Sequence, residues 1–283
     1  MSSLVQNDPI STSLNVMRRL PPSKIEQNLA GLLQLSPSST DELLQRIDQP
    51  LSVSSTSPTS ARAYLLSDYN RDGDSYRNPW TNKYEPQIED GFKPSAALRE
   101  LEVSFNEIFD SYRDLYYEGG VSSVYLWDLD DDVPTAGWAG CFLIMKDVKG
   151  TQHVKQGTWN SIHVVECGGG KGGKGSEYKL TTTIMVDMDT DGKEMGATNL
   201  AGSMTRQSTM RGGGGGDEEH VRNVGRMIED MEIEMRSNMD GLYLQKTAEV
   251  VSKVRGIREG GVNKEHVDKL NEKVKGMKVG GGD

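Results

Sequence analysis

The sequence predicts an α+β fold: an N-terminal helical unit, a central antiparallel β-sheet of about five strands covered by a long C-terminal helix, and a mobile amphipathic tail helix. Three observations carry this. Apolar residues keep helical spacing through Leu98, Leu101, Phe105, Ile108, Tyr112 and Leu115, then switch to strand-like blocks after Val121. The helical period returns at Val221, Val224, Ile228, Met231, Met235, Met239 and Leu242 and continues through Val250, Val251, Val254 and Ile257. A separate stripe, Val267, Leu270, Val274 and Met277, stands beyond Gly260-Gly261.

Leu14, Met17 and Leu20 open the chain at helical spacing, Pro21-Pro22 interrupts, and Ile25, Leu29, Leu32 and Leu33 resume. Thr40 and Asp41 are placed to cap a third helix through Leu43, Leu44 and Ile47, so residues 1–51 read as a small helical unit. Ser52 to Ala61 is Ser, Thr and Pro with little that is apolar, which predicts a flexible connection. Residues 68–95 mix Gly and Pro with Tyr69, Tyr76, Trp80 and Tyr84 and predict an irregular segment pinned by rings. A helix from about Ser95 to Tyr117, stopped by Gly119-Gly120, completes a second region, 52–120.

Val121 to Asp128, Gly140 to Lys146, Thr158 to Glu166, Tyr178 to Asp187 and Gly202 to Gln207 then read as an antiparallel meander within 121–210. The long helix occupies 211–259 and the tail 260–283. A five-stranded sheet with one helix across it keeps two open edges and a partly bare face, so a second chain is the natural completion.

Composition excludes several functions. Of the 283 residues, Lys and Arg number 32 against 42 Asp and Glu, a net charge of −10, so a phosphate backbone is repelled over most of the surface and nucleic-acid binding is not expected. The tail from Val262 onward carries five Lys against four acids, a charge of +1 that sets it apart from the body and gives only slight attraction to an anionic membrane surface. Cys141 and Cys167 are too few for a disulfide framework and fall in apolar strand-like runs, the pattern of a reducing, cytoplasmic compartment. The N-terminus has no apolar h-region, and the longest strongly apolar run, Cys141 to Met145, is far short of a membrane span, so the chain is expected to be soluble and not exported.

Motifs that suggest chemistry fail on inspection. Gly168 to Ser176 (GGGKGGKGS) imitates a phosphate loop, but Gly175 stands after Lys174 where Ser or Thr is needed, and a strand follows where a helix must open. It reads instead as a hairpin loop. Two stretches imitate calcium loops: Asp68, Asn70, Asp72, Gly73, and Asp187, Asp189, Asp191, Gly192. The bidentate Glu expected at the twelfth position is Pro79 in one and Thr198 in the other, which leaves turn chemistry as the plain reading. His153, His163, His220 and His266 share no metal-ligand or triad spacing, and His163, in a predicted strand, reads as a half-buried structural residue. No catalytic residue, metal site or cofactor site is predicted.

Several ordered blocks carry a resemblance: Met17 to Pro22 (MRRLPP), Asp68 to Arg77 (DYNRDGDSYR), Pro79-Trp80, Asn82-Lys83-Tyr84, Tyr112-Arg113-Asp114, Glu118 to Asp128 (EGGVSSVYLWD), Ser161 to Glu166 (SIHVVE), Tyr178 to Thr181 (YKLT), Thr205-Arg206-Gln207, Gly225-Arg226 and Glu229 to Glu232 (EDME). Over about residues 13–257 the chain resembles the beta-subunit family of F-actin capping proteins. The resemblance implies a heterodimer in which a similarly folded alpha subunit completes the sheet. It implies an assembly that binds filament barbed ends and blocks subunit addition and loss, in the cytoplasm and cytoskeleton at actin patches or the cortex. It implies no cofactor and no catalysis, with phosphoinositides and capping regulators as further partners.

By position, the actin-facing residues implied are Val267, Leu270, Val274 and Met277 of the segment Lys264 to Lys278, together with Arg236. Gly-rich runs at 168–175, 212–216 and 280–282 and the Ser-rich stretch at Ser52 to Ala61 depart from the family pattern, and the tail uses Val where Leu is frequent. Four apolar side chains gain at most about 1.5–3 kcal/mol each on full burial. After partial burial and helix ordering a few kcal/mol remain, against about 12 for nanomolar binding. The tail alone is therefore expected to bind weakly. The alternative reading is a calcium-responsive signalling or adaptor protein using the two Asp-rich loops.

Overall fold

The computed structural model describes residues 9–54, 62–129, 137–150, 154–169, 175–192, 196–213, 216–239, 249–250 and 253–254. The N-terminal unit consists of helices α1 (Pro9–Met17), α2 (Ile25–Leu35) and α3 (Thr40–Arg46), each contributing a buried side chain, Met17, Leu29 and Leu43. Pro22 opens a short 3-10 turn between α1 and α2, because a residue without an N–H cannot extend the preceding helix. The residue before α3 is Ser39; Thr40 lies inside the helix and its hydroxyl donates backwards to the Pro37 carbonyl at 2.8 Å, so the cap expected of Thr40 is not made.

The predicted flexible connection begins as a strand. Ser52–Ser54 (β1) pairs antiparallel with Tyr64–Leu66 (β2), and residues 55–61 lie outside the described residues. The segment expected to be irregular holds a small sheet of β3 (Arg71–Asp72), β4 (Ser75–Asn78) and β5 (Lys83–Glu85). Strands of two to four residues are too short to show alternation. Helix α4 (Ala96–Tyr116) is capped by the Ser95 hydroxyl, which accepts from Leu98 N–H, and stops before Gly119, whose φ of 76° suits a residue without Cβ.

The central sheet is an uninterrupted meander of β6 (Val121–Asp128), β7 (Trp138–Lys149), β8 (Val154–Gly169), β9 (Ser176–Gly192) and β10 (Gly196–Gly212), in the order β10-β9-β8-β7-β6. All five strands are where the sequence places them, but the last four run well past their apolar centres. Gly168 and Gly169 pair with Glu177 and Ser176, and Asp187, Asp189 and Asp191 pair with Ala201, Asn199 and Ala197. Residues read as turns are thus ladder residues, held there by the partner strand despite poor intrinsic β-propensity. The Gly-rich stretch does join β8 to β9, with residues 170–174 outside the described residues.

Strand alternation gives the sheet two buried faces. Val124, Leu126, Phe142, Ile144, Val165, Leu180 and Ile184 face helix α4 and helix α5 (Asp217–Met239), which contribute Leu98, Leu101, Phe105 and Phe109, and Val224, Met227, Ile228, Met231 and Met235. Tyr125, Cys141, Leu143, Ile162 and Met185 face the other way, onto Leu51 and Leu65. Each large apolar side chain buried here contributes about 1.5–3 kcal/mol. Both cysteines are buried and free. The helix expected to run to Ile257 is described as α5 to Met239 and as helical again at 249–250 and 253–254; residues 240–248, 251–252 and 255–257 lie outside the described residues.

Candidate functional site

Edge strand β10 pairs with β9 along its whole length and has no strand on its other side among the described residues. Its one described outward backbone bond runs from Ser203 N–H to the Arg18 carbonyl, 2.9 Å. The opposite edge is better covered: Leu65 N–H donates to Ser123 Oγ at 2.9 Å and Tyr125 Oη donates to the Leu65 carbonyl at 2.8 Å, tying β2 to β6. One long edge therefore offers a row of backbone donors and acceptors for another strand.

A groove of about 620 Å³ lies beside that edge on the helical face. Its floor is apolar and aromatic, with Trp159, Ile184, Val186, Met188 and Met204, and its walls carry Arg18, Arg19, Lys146, Arg206 and Arg236. Among the described residues no carboxylate lines it, although the chain as a whole carries −10. Five cations over an apolar floor suit a partner with both apolar and anionic groups.

Arg236, near the end of α5, is 35% exposed. Its Nε donates to Glu232 Oε2 at 2.9 Å, one turn earlier, and its guanidinium lies 4.4 Å from the Tyr117 ring centre and 5.6 Å from that of Trp159. It is a held group rather than a loosely solvated one.

Glu232 itself is 1% exposed. Its Oε2 accepts also from Tyr117 Oη, and its Oε1 accepts from Ser161 Oγ at 2.7 Å. His163 Nε2 stands 3.2 Å from Oε1, within ion-pair range but off the straight hydrogen-bond line. His163 Nδ1 shares a 2.9 Å hydrogen bond with Thr182 Oγ1, and Trp159 Nε1 donates to Ser161 Oγ at 2.8 Å. Burial by itself pushes the Glu232 carboxyl up; the close contact with the His163 imidazole, with the Tyr117 and Ser161 hydroxyls, outweighs it and holds the carboxyl at about 2. The histidine expected to be half-buried is fully buried because it completes this network. Glu232, Tyr117 and Trp159 were not singled out from sequence, yet Glu232 stands at i+4 from Ile228 inside the apolar stripe, and a carboxylate there signals an interior partner.

The tail residues Val267, Leu270, Val274 and Met277 lie outside the described residues, so of the sequence-derived set only Arg236 is located. The calcium-like stretches are otherwise engaged. Asn70 is buried, with Oδ1 accepting from Ser67 N–H at 2.9 Å and Nδ2 donating to the Leu65 and Arg77 carbonyls. Asp187 and Asp189 share Asn199 Nδ2 at 2.8 and 2.9 Å, within β9 rather than a turn. Among the described residues no three His, Cys, Asp or Glu gather as metal ligands. Cys167 lies 3.8 Å from His220 Nδ1, but burial pushes its thiol up to about 11, away from the thiolate a nucleophile needs.

Comparison with known proteins assigns the fold and the ancestry. A family model described as F-actin capping protein, beta subunit, matches residues 10–251. The F-actin-capping protein subunit beta of Dictyostelium discoideum is 49% identical over 248 residues, which is 87% of this chain and 89% of that protein. The subunit of the same name from Caenorhabditis elegans is 46% identical over 246 residues, 87% of this chain and 88% of that one. That of Drosophila melanogaster is 45% identical over 243 residues, 86% of each. Among solved structures, the homodimeric actin capping protein alpha subunit from Plasmodium berghei aligns with a TM-score of 0.51 at 17% identity, covering 89% of this chain and 98% of that one, and shows the same fold. With a helix-covered five-stranded meander, an open β10 edge and this similarity along nearly its whole described length, the chain belongs to the F-actin capping protein beta-subunit family.

Proposed function

We propose that the chain is the beta half of a two-chain capping protein, joined to an alpha subunit along β10, and that the assembly binds filament barbed ends and stops both addition and loss of actin subunits. Family membership at 44–49% identity over about 87% of the chain carries the reading. The open edge and the adjoining apolar, cation-lined groove support it, since a similarly folded partner brings a strand edge of its own. The relative from Plasmodium berghei is named as a homodimer, so its fold pairs with a copy of itself.

The work is binding, with no bond made or broken and no cofactor. Contact with actin falls to Arg236 and to the tail stripe Val267, Leu270, Val274 and Met277, the tail being the weaker partner on the energetic grounds above. The setting is the cytoplasmic actin cytoskeleton, at patches or the cortex, where phosphoinositides and capping regulators act on the assembled pair. Nothing in the Asp-rich stretches favours the calcium-responsive alternative.

Co-expression with an alpha subunit followed by seeded pyrene-actin elongation tests this. A one-to-one complex that blocks barbed-end growth at nanomolar concentration is expected, and the same complex lacking Val262 to Asp283 should remain assembled but cap more weakly. A chain that stays monomeric beside its partner, or a complex that leaves elongation untouched, overturns the reading.

A further inference from the structure

Arg236 is seated on three sides. Glu232 accepts its Nε at 2.9 Å from below, and Tyr117 and Trp159 present ring faces at 4.4 and 5.6 Å. Each of those three is itself fixed: Tyr117 by its hydroxyl on Glu232, Trp159 by its indole N–H on Ser161, and Glu232 by Ser161 and His163. A long side chain at a helix surface ordinarily surrenders rotamer freedom when it binds, and that loss weakens the complex. Here the freedom is already spent in the unbound chain, and a planar guanidinium is what a carboxylate engages in two parallel bonds.

We propose that Glu232 is a positioning residue for Arg236: together with Tyr117 and Trp159 it holds the guanidinium ready at the wall of the basic groove for a carboxylate on the filament end. This rests on the capping function proposed above. Glu232 does not itself reach the ligand, because it is 1% exposed and its oxygens are occupied by Tyr117, Arg236, Ser161 and His163. A lysine cannot replace Arg236, having neither an Nε–H in the side-chain plane nor a flat face to lie over two rings.

Glu232→Gln is the informative variant. Glutamine can leave its oxygen toward Tyr117 and Arg236 and turn its amide toward Ser161 and His163, each of which is able to accept, so the interior stays hydrogen-bonded while the charge beneath Arg236 is lost. Four forms of the assembled two-chain protein are measured by barbed-end elongation, each with a thermal melt: wild type, E232Q, R236A and the double variant carrying both changes. We expect E232Q to weaken capping by about fivefold when Arg236 is present and to do nothing further when R236A is already in place, and R236K to cap like R236A. A loss from E232Q that is equal with and without Arg236, no loss at all, or R236K capping like wild type overturns the positioning role. If E232Q fails to assemble, Trp159→Leu takes its place in the same cycle, and the same outcomes support or overturn the proposal. A wild-type complex that does not cap overturns the functional reading itself, which separates that failure from this one.

Discussion

Arg77 and Glu102 meet as a bidentate pair in the interior, Nη1 to Oε1 at 2.8 Å and Nη2 to Oε2 at 2.7 Å, with side chains 3% and 0% exposed. Glu102 also accepts from Leu126 N–H at 2.6 Å and from Arg99. One carboxylate thereby fastens β4 and α4 to β6, linking the short sheet to the main one.

Removing one partner of such a pair leaves a buried charge without compensation, at a cost of about 3–5 kcal/mol, whereas removing both costs much less. Arg77→Met should lower the urea midpoint of the assembled protein at fixed concentration with the slope unchanged, and Arg77→Met with Glu102→Leu should recover part of the loss. A double variant as unstable as the single one would show that the pair contributes by its own attraction rather than by sparing the interior an unpaired charge.

Glu232 predicts an acid transition. Its carboxyl is held at about 2 in the folded chain against an ordinary 4.5, so the folded state favours the ionised form. The stability this contributes, about 3 kcal/mol, is present above pH 4.5 and is lost as pH falls toward 2. His163 and Arg236 face the carboxylate; the Arg236 guanidinium, held above the ordinary arginine range beside Tyr117 and Glu232, stays charged through that interval and does not offset the loss. Unfolding free energy measured from about pH 6 to pH 2 should fall less steeply in Glu232→Gln than in wild type; parallel curves would refute the assignment.

The order and kind of the main elements were legible because period alone separates α4 and α5 from the five strands between them. Strand lengths were not, since Gly168, Gly169, Asp187 and Asp189 carry turn chemistry and are strands only because a neighbouring strand holds them. The Glu232 network was hidden for a different reason. Its members stand at positions 117, 159, 161, 163 and 232, brought together by meander topology and not by any spacing in sequence. The signs that were available were a carboxylate on an apolar helical stripe and a histidine flanked by apolar residues in a strand. Arg236 was located only through resemblance, because one arginine near the end of a charged helix looks like any other.

The Asp-rich stretches predict silence toward calcium. Asn70 Oδ1 points into its own turn, accepting from Ser67, and its amide is spent on two buried carbonyls, so it has no oxygen to offer a cation. Calorimetric titration of the complex with calcium should show no micromolar site. Asn70→Ala should instead destabilise by about 1–3 kcal/mol, by taking one buried donor from each of the Leu65 and Arg77 carbonyls and the acceptor from Ser67 N–H; a micromolar heat that disappears in Asn70→Ala would revive the calcium reading.

Along β10, Ser203 N–H points away from β9, because it donates to Arg18, and in an antiparallel ladder the outward direction recurs at every second residue. With no register shift along the β9–β10 pairing, Thr205, Gln207 and Thr209 also turn their N–H groups outward. Proline at Gln207 therefore removes a donor from the free edge while leaving the β9 ladder intact, the one placement within a sheet that proline tolerates. The side-chain bond from Gln207 to Thr181 Oγ1 is lost as well, but it is exposed and of small consequence. Gln207→Pro should thus leave the helix and strand content measured by circular dichroism unchanged and weaken association with the alpha subunit. Proline at Arg206, one residue earlier, points the defect inward and should unfold the hairpin. If Gln207→Pro pairs with the alpha subunit as tightly as wild type, the second chain does not dock by extending this strand.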